Sequence, residues 1–182
     1  MKRKIFRNLE TKDINLIALL ATIIFVQEQL LAFLPNVQLT VFLLVLYSKK
    51  LGFTRSFIIC LIHVVLDSLV MGGFNFLYMP FMFIGWIIIP ITLNTIFKKV
   101  ESNIILAFLG IVYAFVYSWV FIIPNCILLN VSFNAYFLAD IIWEILLALS
   151  SFITILLLYV PCSKIFNNSY FKRILNQEEN NL

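Results

Sequence analysis

Five ionisable side chains interrupt otherwise apolar stretches of the sequence: Glu28, His63, Asp67, Asp140 and Glu144. In hydrocarbon each costs about 2.5–3.5 kcal/mol on insertion scales, so such groups turn towards protein or water and mark candidate sites. Asp140 and Glu144 stand four apart on one helix face, where two like charges repel unless a cation, a proton or a donor lies between them. Trp143, Leu147 and Ser151 continue that stripe. His63 and Asp67 share a face in the same way, and read either as part of a site or as a polar pair that locks two helices. Glu28, between Gln27 and Gln29, is either a site carboxylate or a residue reaching the membrane interface. Trp86 follows Gly85 one turn before Pro90, and Tyr113 and Tyr117 share a face that leads to Pro124 and Asn125. Carboxylates beside aromatic rings suit a cationic or amine-bearing ligand, held by charge pairing and cation–π contact.

Bond-making chemistry is not indicated. His63 is the only histidine, and the chain has no H-E-x-x-H, G-x-S-x-G or glycine-rich phosphate loop. Ser68 or Ser118 could be assisted by His63 and Asp67, but the spacing does not require it, so the chain reads as a non-enzyme without a cofactor. Cys60, Cys126 and Cys162 lie far apart with no C-x-x-C pair, which argues for packing residues rather than a metal site or a disulfide framework. The sequon Asn130-Val131-Ser132 matters only in a eukaryotic secretory route.

The elements that position these residues follow from composition. The 182 residues are 63% hydrophobic and 12% charged, with a mean hydropathy of +1.03. Soluble domains are nearer half apolar and a quarter charged, which excludes a soluble enzyme and a nucleic-acid binder with a basic face. A helix crosses the bilayer with about 20 mostly apolar residues, and the stretches 14–34, 53–71, 79–97, 104–124 and 135–160 meet that length. The stretch 37–47 is short, roughly 16 Å as a helix, and is either a short crossing or a shielded re-entrant piece. The first stretch is too long for a signal-peptide core and lacks a small-x-small cleavage site, so it reads as a retained span.

Charge placement favours a crossing at 37–47. The 13 lysines and arginines fall into four clusters, before 14–34, around 48–55, after the fourth span and in the tail. Six spans put all four on one side, where the positive-inside rule places the cytoplasm, and leave the alternate loops 35–36, 72–78 and 125–134 uncharged. The expected fold is therefore an all-α integral membrane protein of the cell membrane. It has six transmembrane helices, a short second helix and both termini cytoplasmic. Residues 1–13 form a basic N-terminus, 14–160 one membrane domain and 161–182 a polar tail. In this orientation all four acids lie in the outer half of the bilayer, with His63 one turn deeper, as expected of a polar cavity open to the outside. The loop Gly72-Gly73-Phe74-Asn75 could close over it and bring Asn75 to the ligand.

This layout resembles the substrate-binding (S) component of energy-coupling factor (ECF) transporters, over residues 14 to about 159. The resemblance is carried by Leu16-Ile17-Ala18-Leu19-Leu20-Ala21-Thr22 in the first span and by Leu34-Pro35-Asn36-Val37-Gln38-Leu39-Thr40 leading into an abbreviated second helix. It continues through Lys49-Lys50-Leu51-Gly52, a third helix with Asp67 and Gly72-Gly73, and Tyr78-Met79-Pro80 with Gly85-Trp86. It implies capture of a vitamin or vitamin precursor near the outer end, then delivery by docking to a transmembrane coupling subunit driven by two ATPases. Ala18, Ala21 and Thr22 would form the docking face. The expected ligand contacts are Glu28, His63, Asp67, Asn75, Trp86, Tyr117, Asn125, Asp140, Trp143 and Glu144. The outer half holds no Lys or Arg, so an amine-bearing heterocycle such as thiamine or its pyrimidine precursor fits better than an anion. The rival reading is a structural polytopic scaffold, similar to the rod-shape-determining membrane subunit, which has no need of acids gathered at one depth.

Overall fold

The computed structural model describes residues 11–70 and 76–168. Within them the chain is all-helical, with six helices: α1 (Thr11–Leu31), α2 (Thr40–Leu51), α3 (Phe53–Val70), α4 (Tyr78–Asn94), α5 (Asn103–Leu129) and α6 (Phe133–Phe166). Four of them, α1, α3, α5 and α6, are long and apolar enough to cross a membrane. Apolar side chains such as Leu30, Leu138, Ile142 and Leu157 cover the outside, whereas Asp13, His63, Asp67 and Glu144 are buried. That distribution inverts a water-soluble domain and suits a lipid surround.

The short second helix holds the centre. α2 packs against all five others, while α1, α3, α4, α5 and α6 follow one another in an arc around it. Every residue from Thr40 to Ser48 is buried, so this helix has neither a water face nor a lipid face. A helix that is apolar all round belongs in such a place. Its 12 residues span about 18 Å, and they begin and end later than the stretch 37–47 expected from hydropathy. The delay arises at Asn36, whose left-handed φ of 57° turns the chain after α1. At the other end polar residues are accommodated inside the helix. Ser48 Oγ donates to the Leu44 carbonyl at 2.6 Å, and Lys49 Nζ donates to the carbonyls of Phe97 and Lys98 at 3.2 and 3.0 Å.

The last two helices run past the ends expected from hydropathy, 124 and 160. α5 continues past Pro124 for five residues and α6 past Pro161 to Phe166. The expected outer loop 125–134 shrinks to 130–132, closed by the left-handed Asn130 and by Ser132, whose hydroxyl accepts from the Ala135 amide. Proline is tolerated in long apolar helices because neighbouring helices re-satisfy the freed backbone groups. α5 and α6 form the most extensive helix pair, and Gly110 permits it, since a Cβ there would collide with the Ile155 side chain. Ala107 and Ala114 flank Gly110 on the same buried side, and close approach at small residues is how helices associate in lipid.

A buried ion pair joins α1 to α3. Asp13, in the first turn of α1, accepts from Arg55 Nε at 2.9 Å and lies 2.7 Å from Nη2, with both side chains buried. Removing one partner of such a pair leaves an uncompensated buried charge. Asp13→Ala is therefore expected to lower the stability of the detergent-solubilised protein by about 3–5 kcal/mol, read from its denaturant-unfolding midpoint. Gly110→Ile should cost about 1–3 kcal/mol through overpacking, and a stability unchanged by either substitution would contradict the packing described.

Candidate functional site

Side chains from four helices converge beside the start of α2. His63 Nε2 of α3 lies 3.5 Å from Glu28 Oε1 of α1. On its other side the His63 ring stands 6.0 Å from Trp86 of α4, tilted at 52°. Trp86 stacks in turn on Tyr117 of α5, with ring centroids 3.8 Å apart at 22°. Asp67, one turn along α3 from His63, acts electrostatically on both Glu28 and Tyr117. Five of the residues expected from the sequence to form a site thus meet: Glu28, His63, Asp67, Trp86 and Tyr117.

Gly85 makes the stack possible. A Cβ at this position would lie 2.7 Å from Tyr117 Cδ2, so any side chain would push the tyrosine ring off α4. Phe121 backs Tyr117 at 4.8 Å and extends the aromatic wall to Tyr78.

The hydrogen-bonding inventory of the cluster is incomplete. Both ring nitrogens of His63 and Nε1 of Trp86 are buried without a hydrogen-bond partner among the described residues. Most buried polar groups are paired, and a bare one costs about 1–3 kcal/mol. The 3.5 Å approach of Glu28 to His63 does not meet hydrogen-bond geometry, so donors and acceptors are gathered at one place and left unmatched.

Two residues that hold the cluster went unassigned in the sequence reading. Gln27 Oε1 accepts from the Leu39 amide at 2.8 Å, and Gln27 Nε2 donates to Thr40 Oγ1 at 2.8 Å. Thr40 passes its own proton to Glu28 Oε1. Capping of α2 comes from α1 across the bundle, since the Leu39 N-cap position has no side-chain cap of its own. The signal lay in Gln27 inside an apolar run and in a threonine opening another.

The remaining expected residues fall elsewhere. Asn125 accepts from Tyr78 Oη and donates to Tyr136 Oη at 2.6 Å, tying α4, α5 and the first turn of α6 together. Asp140 is half-buried and acts on Tyr136 and Glu144. Glu144 is fully buried on α6 with both carboxylate oxygens outside hydrogen-bonding geometry, and it interacts with Trp119 of α5. Trp143 is exposed, so the stripe 140–151 does not present all its members to one cavity. Asn75, with the rest of the loop 71–75, lies outside the described residues. Ala18 and Thr22 are exposed on α1, whereas Ala21 is fully buried against the bundle.

Comparison with family models, with curated proteins and with solved structures returns no match to the chain. Its function therefore has to be argued from its own geometry. If Thr40 is the hub described, Thr40→Val strands Gln27 Nε2 and should cost about 1–3 kcal/mol, whereas Thr40→Ser should restore most of the loss. Equal unfolding midpoints for the valine and serine variants would remove Thr40 from that role.

Proposed function

We propose that the protein is the substrate-capturing membrane component of an ECF-type importer, taking up a small vitamin-like molecule between α1, α3, α4 and α5. The observation that carries this reading is the convergence of Glu28, His63, Asp67, Trp86 and Tyr117 with buried donors and acceptors left unpaired. A ligand with a polar edge and a flat face completes such a set. Carboxylates next to stacked rings, with no Lys or Arg among the groups that meet there, favour an amine-bearing or cationic heterocycle of the thiamine or aminopyrimidine kind. Delivery follows from the resemblance drawn above: docking to a transmembrane coupling subunit powered by two ATPases, with Ala18 and Thr22 on the exposed face of α1.

In this reading the chain crosses the cell membrane six times, with both termini in the cytoplasm. α2 needs no full bilayer length because other helices cover it on every side. Its first turn meets the C-terminal part of α1, and its last turn meets the C-terminal end of α4. Thiol labelling of intact cells tests the topology, starting from a variant in which Cys60, Cys126 and Cys162 are serine. Val131→Cys should react with a membrane-impermeant reagent in intact cells, and Lys99→Cys only after permeabilisation. The reverse pattern, or reaction of both in intact cells, would overturn six spans.

Ligand capture is tested by tryptophan fluorescence of the purified protein against a panel of water-soluble vitamins and their precursors. One compound should quench saturably, and Trp86→Phe should abolish most of the signal while Trp143→Phe leaves it. Glu28→Gln should weaken a cationic ligand tenfold or more, about 1.4 kcal/mol, with a smaller effect from Glu144→Gln. Silence across the panel in folded protein would favour the structural-scaffold reading.

A further inference from the structure

The cations among the described residues gather at the end of the bundle away from the polar cluster. Lys49 Nζ reaches the carbonyls of Phe97 and Lys98, which joins the end of α2 to the turn after α4. Tyr47 and Phe166, 6.2 Å apart, join the end of α2 to the last turn of α6. Asn103 at the start of α5 donates to the Leu156 carbonyl of α6 at 3.3 Å, and Arg55 at the start of α3 holds Asp13 at the start of α1. These contacts bring Lys50, Lys98, Lys99 and Lys164 to one end. The described ion pair Arg55–Asp13 and the His63–Glu28 approach use none of these four lysines. Among the described residues the acids at this end are Asp13, which Arg55 occupies, and Glu101.

The same end exposes large apolar side chains between the lysines. Ile96, two residues before Lys98, is 74% exposed, and Ile165, next to Lys164, is 56% exposed. Ile104 and Ile105 of α5 are exposed on the neighbouring turn. A soluble anion or a nucleic acid would leave those isoleucines in water. A phospholipid satisfies both features at once, with its phosphate on the lysines and its acyl chains on the isoleucines.

We propose that this end of the bundle is a binding surface for the headgroups of anionic phospholipids, with Lys50, Lys98, Lys99 and Lys164 as the phosphate-contacting residues. The proposal is independent of the ligand-capture reading, since no residue is shared between the two surfaces. Each lysine near a charged lipid surface contributes about a fivefold gain in affinity, equivalent to ~1 kcal/mol.

The full chain, purified in a neutral detergent, is mixed with phosphatidylglycerol or with phosphatidylcholine, and retained lipid is counted by native mass spectrometry. The wild type should retain phosphatidylglycerol in clear preference and unfold at a higher temperature with it than with phosphatidylcholine. The Lys98→Gln/Lys99→Gln pair should lower that preference by well over tenfold, and adding Lys50→Gln and Lys164→Gln should abolish it. Should the fourfold variant fail to fold by circular dichroism, the pair and the single Lys164→Gln variant carry the test, because these three side chains are exposed. Equal retention of the two lipids by the wild type, or an undiminished preference in the pair variant, overturns the proposal. So does full displacement of phosphatidylglycerol by an equal concentration of inorganic phosphate, which would make this a site for free anions.

Discussion

The constraint on which the rest of the structure depends is the burial of α2 from Thr40 to Ser48. A helix leaves four amides and four carbonyls unpaired at its two ends, and where no water reaches them other parts of the chain must meet them. α2 lies inside a ring of helices, so its ends are served from all around. At its start Gln27 takes the Leu39 amide, and Ser150 of α6 donates to the Gln38 carbonyl. At its finish Asn94 of α4 serves the Ser48 carbonyl and Arg55 of α3 reaches the Leu51 carbonyl. Four of the five surrounding helices therefore place a polar side chain according to the needs of the one in the middle.

The candidate site grows out of that seal. Gln27 and Glu28 are consecutive, so fixing the first on the start of α2 also fixes where the second can point. Thr40 is shared between them: its hydroxyl accepts from Gln27 and donates to Glu28 Oε1, the same oxygen that lies 3.5 Å from His63 Nε2. Rigid support of this kind is what a binding constellation requires, because its members must hold their geometry without the ligand. The aromatic half is supported differently, by close packing, with Gly85 supplying the space that Tyr117 fills.

The order and number of helices were legible in the sequence because apolar run length and charge spacing are strong signals in a chain this hydrophobic. The ends of the helices were not. The apolar stretches were bounded at 124 and 160, yet α5 runs on to Leu129 and α6 to Phe166, through Pro124 and Pro161. The short stretch at 37–47 was measured against bilayer thickness, the wrong ruler for a helix buried among other helices from Thr40 to Ser48. For the site, helical spacing put His63 and Asp67 on one face of α3, where both are buried, but could not say which faces of different helices meet. That is why Glu144 and Trp143 fell outside a cluster to which their stripe had seemed to assign them. The pairing of Asp13 with Arg55 was hidden for a similar reason: 42 residues separate them, and each had an adequate local explanation as part of a charged end.

The distribution of satisfied and unsatisfied groups separates structural polarity from functional polarity. Thr92 with Tyr113 and Asn125 with its two tyrosines are closed by hydrogen bonds. A chain able to match those groups had the means to match His63 and Trp86 as well. Serine hydroxyls such as Ser56 and Ser151 rotate readily and cost little when unmatched at one instant, but an imidazole and an indole are rigid. Three ring nitrogens without a hydrogen-bond partner, next to two carboxylates and a stacked tyrosine, each cost about 1–3 kcal/mol. Such a cost is tolerated where a site must stay open to a partner of complementary chemistry, because donors already paired within the fold would have to break those bonds before they could bind. Glu144 on α6, fully buried with both carboxylate oxygens outside hydrogen-bonding geometry, is another place among the described residues where the chain accepts that cost.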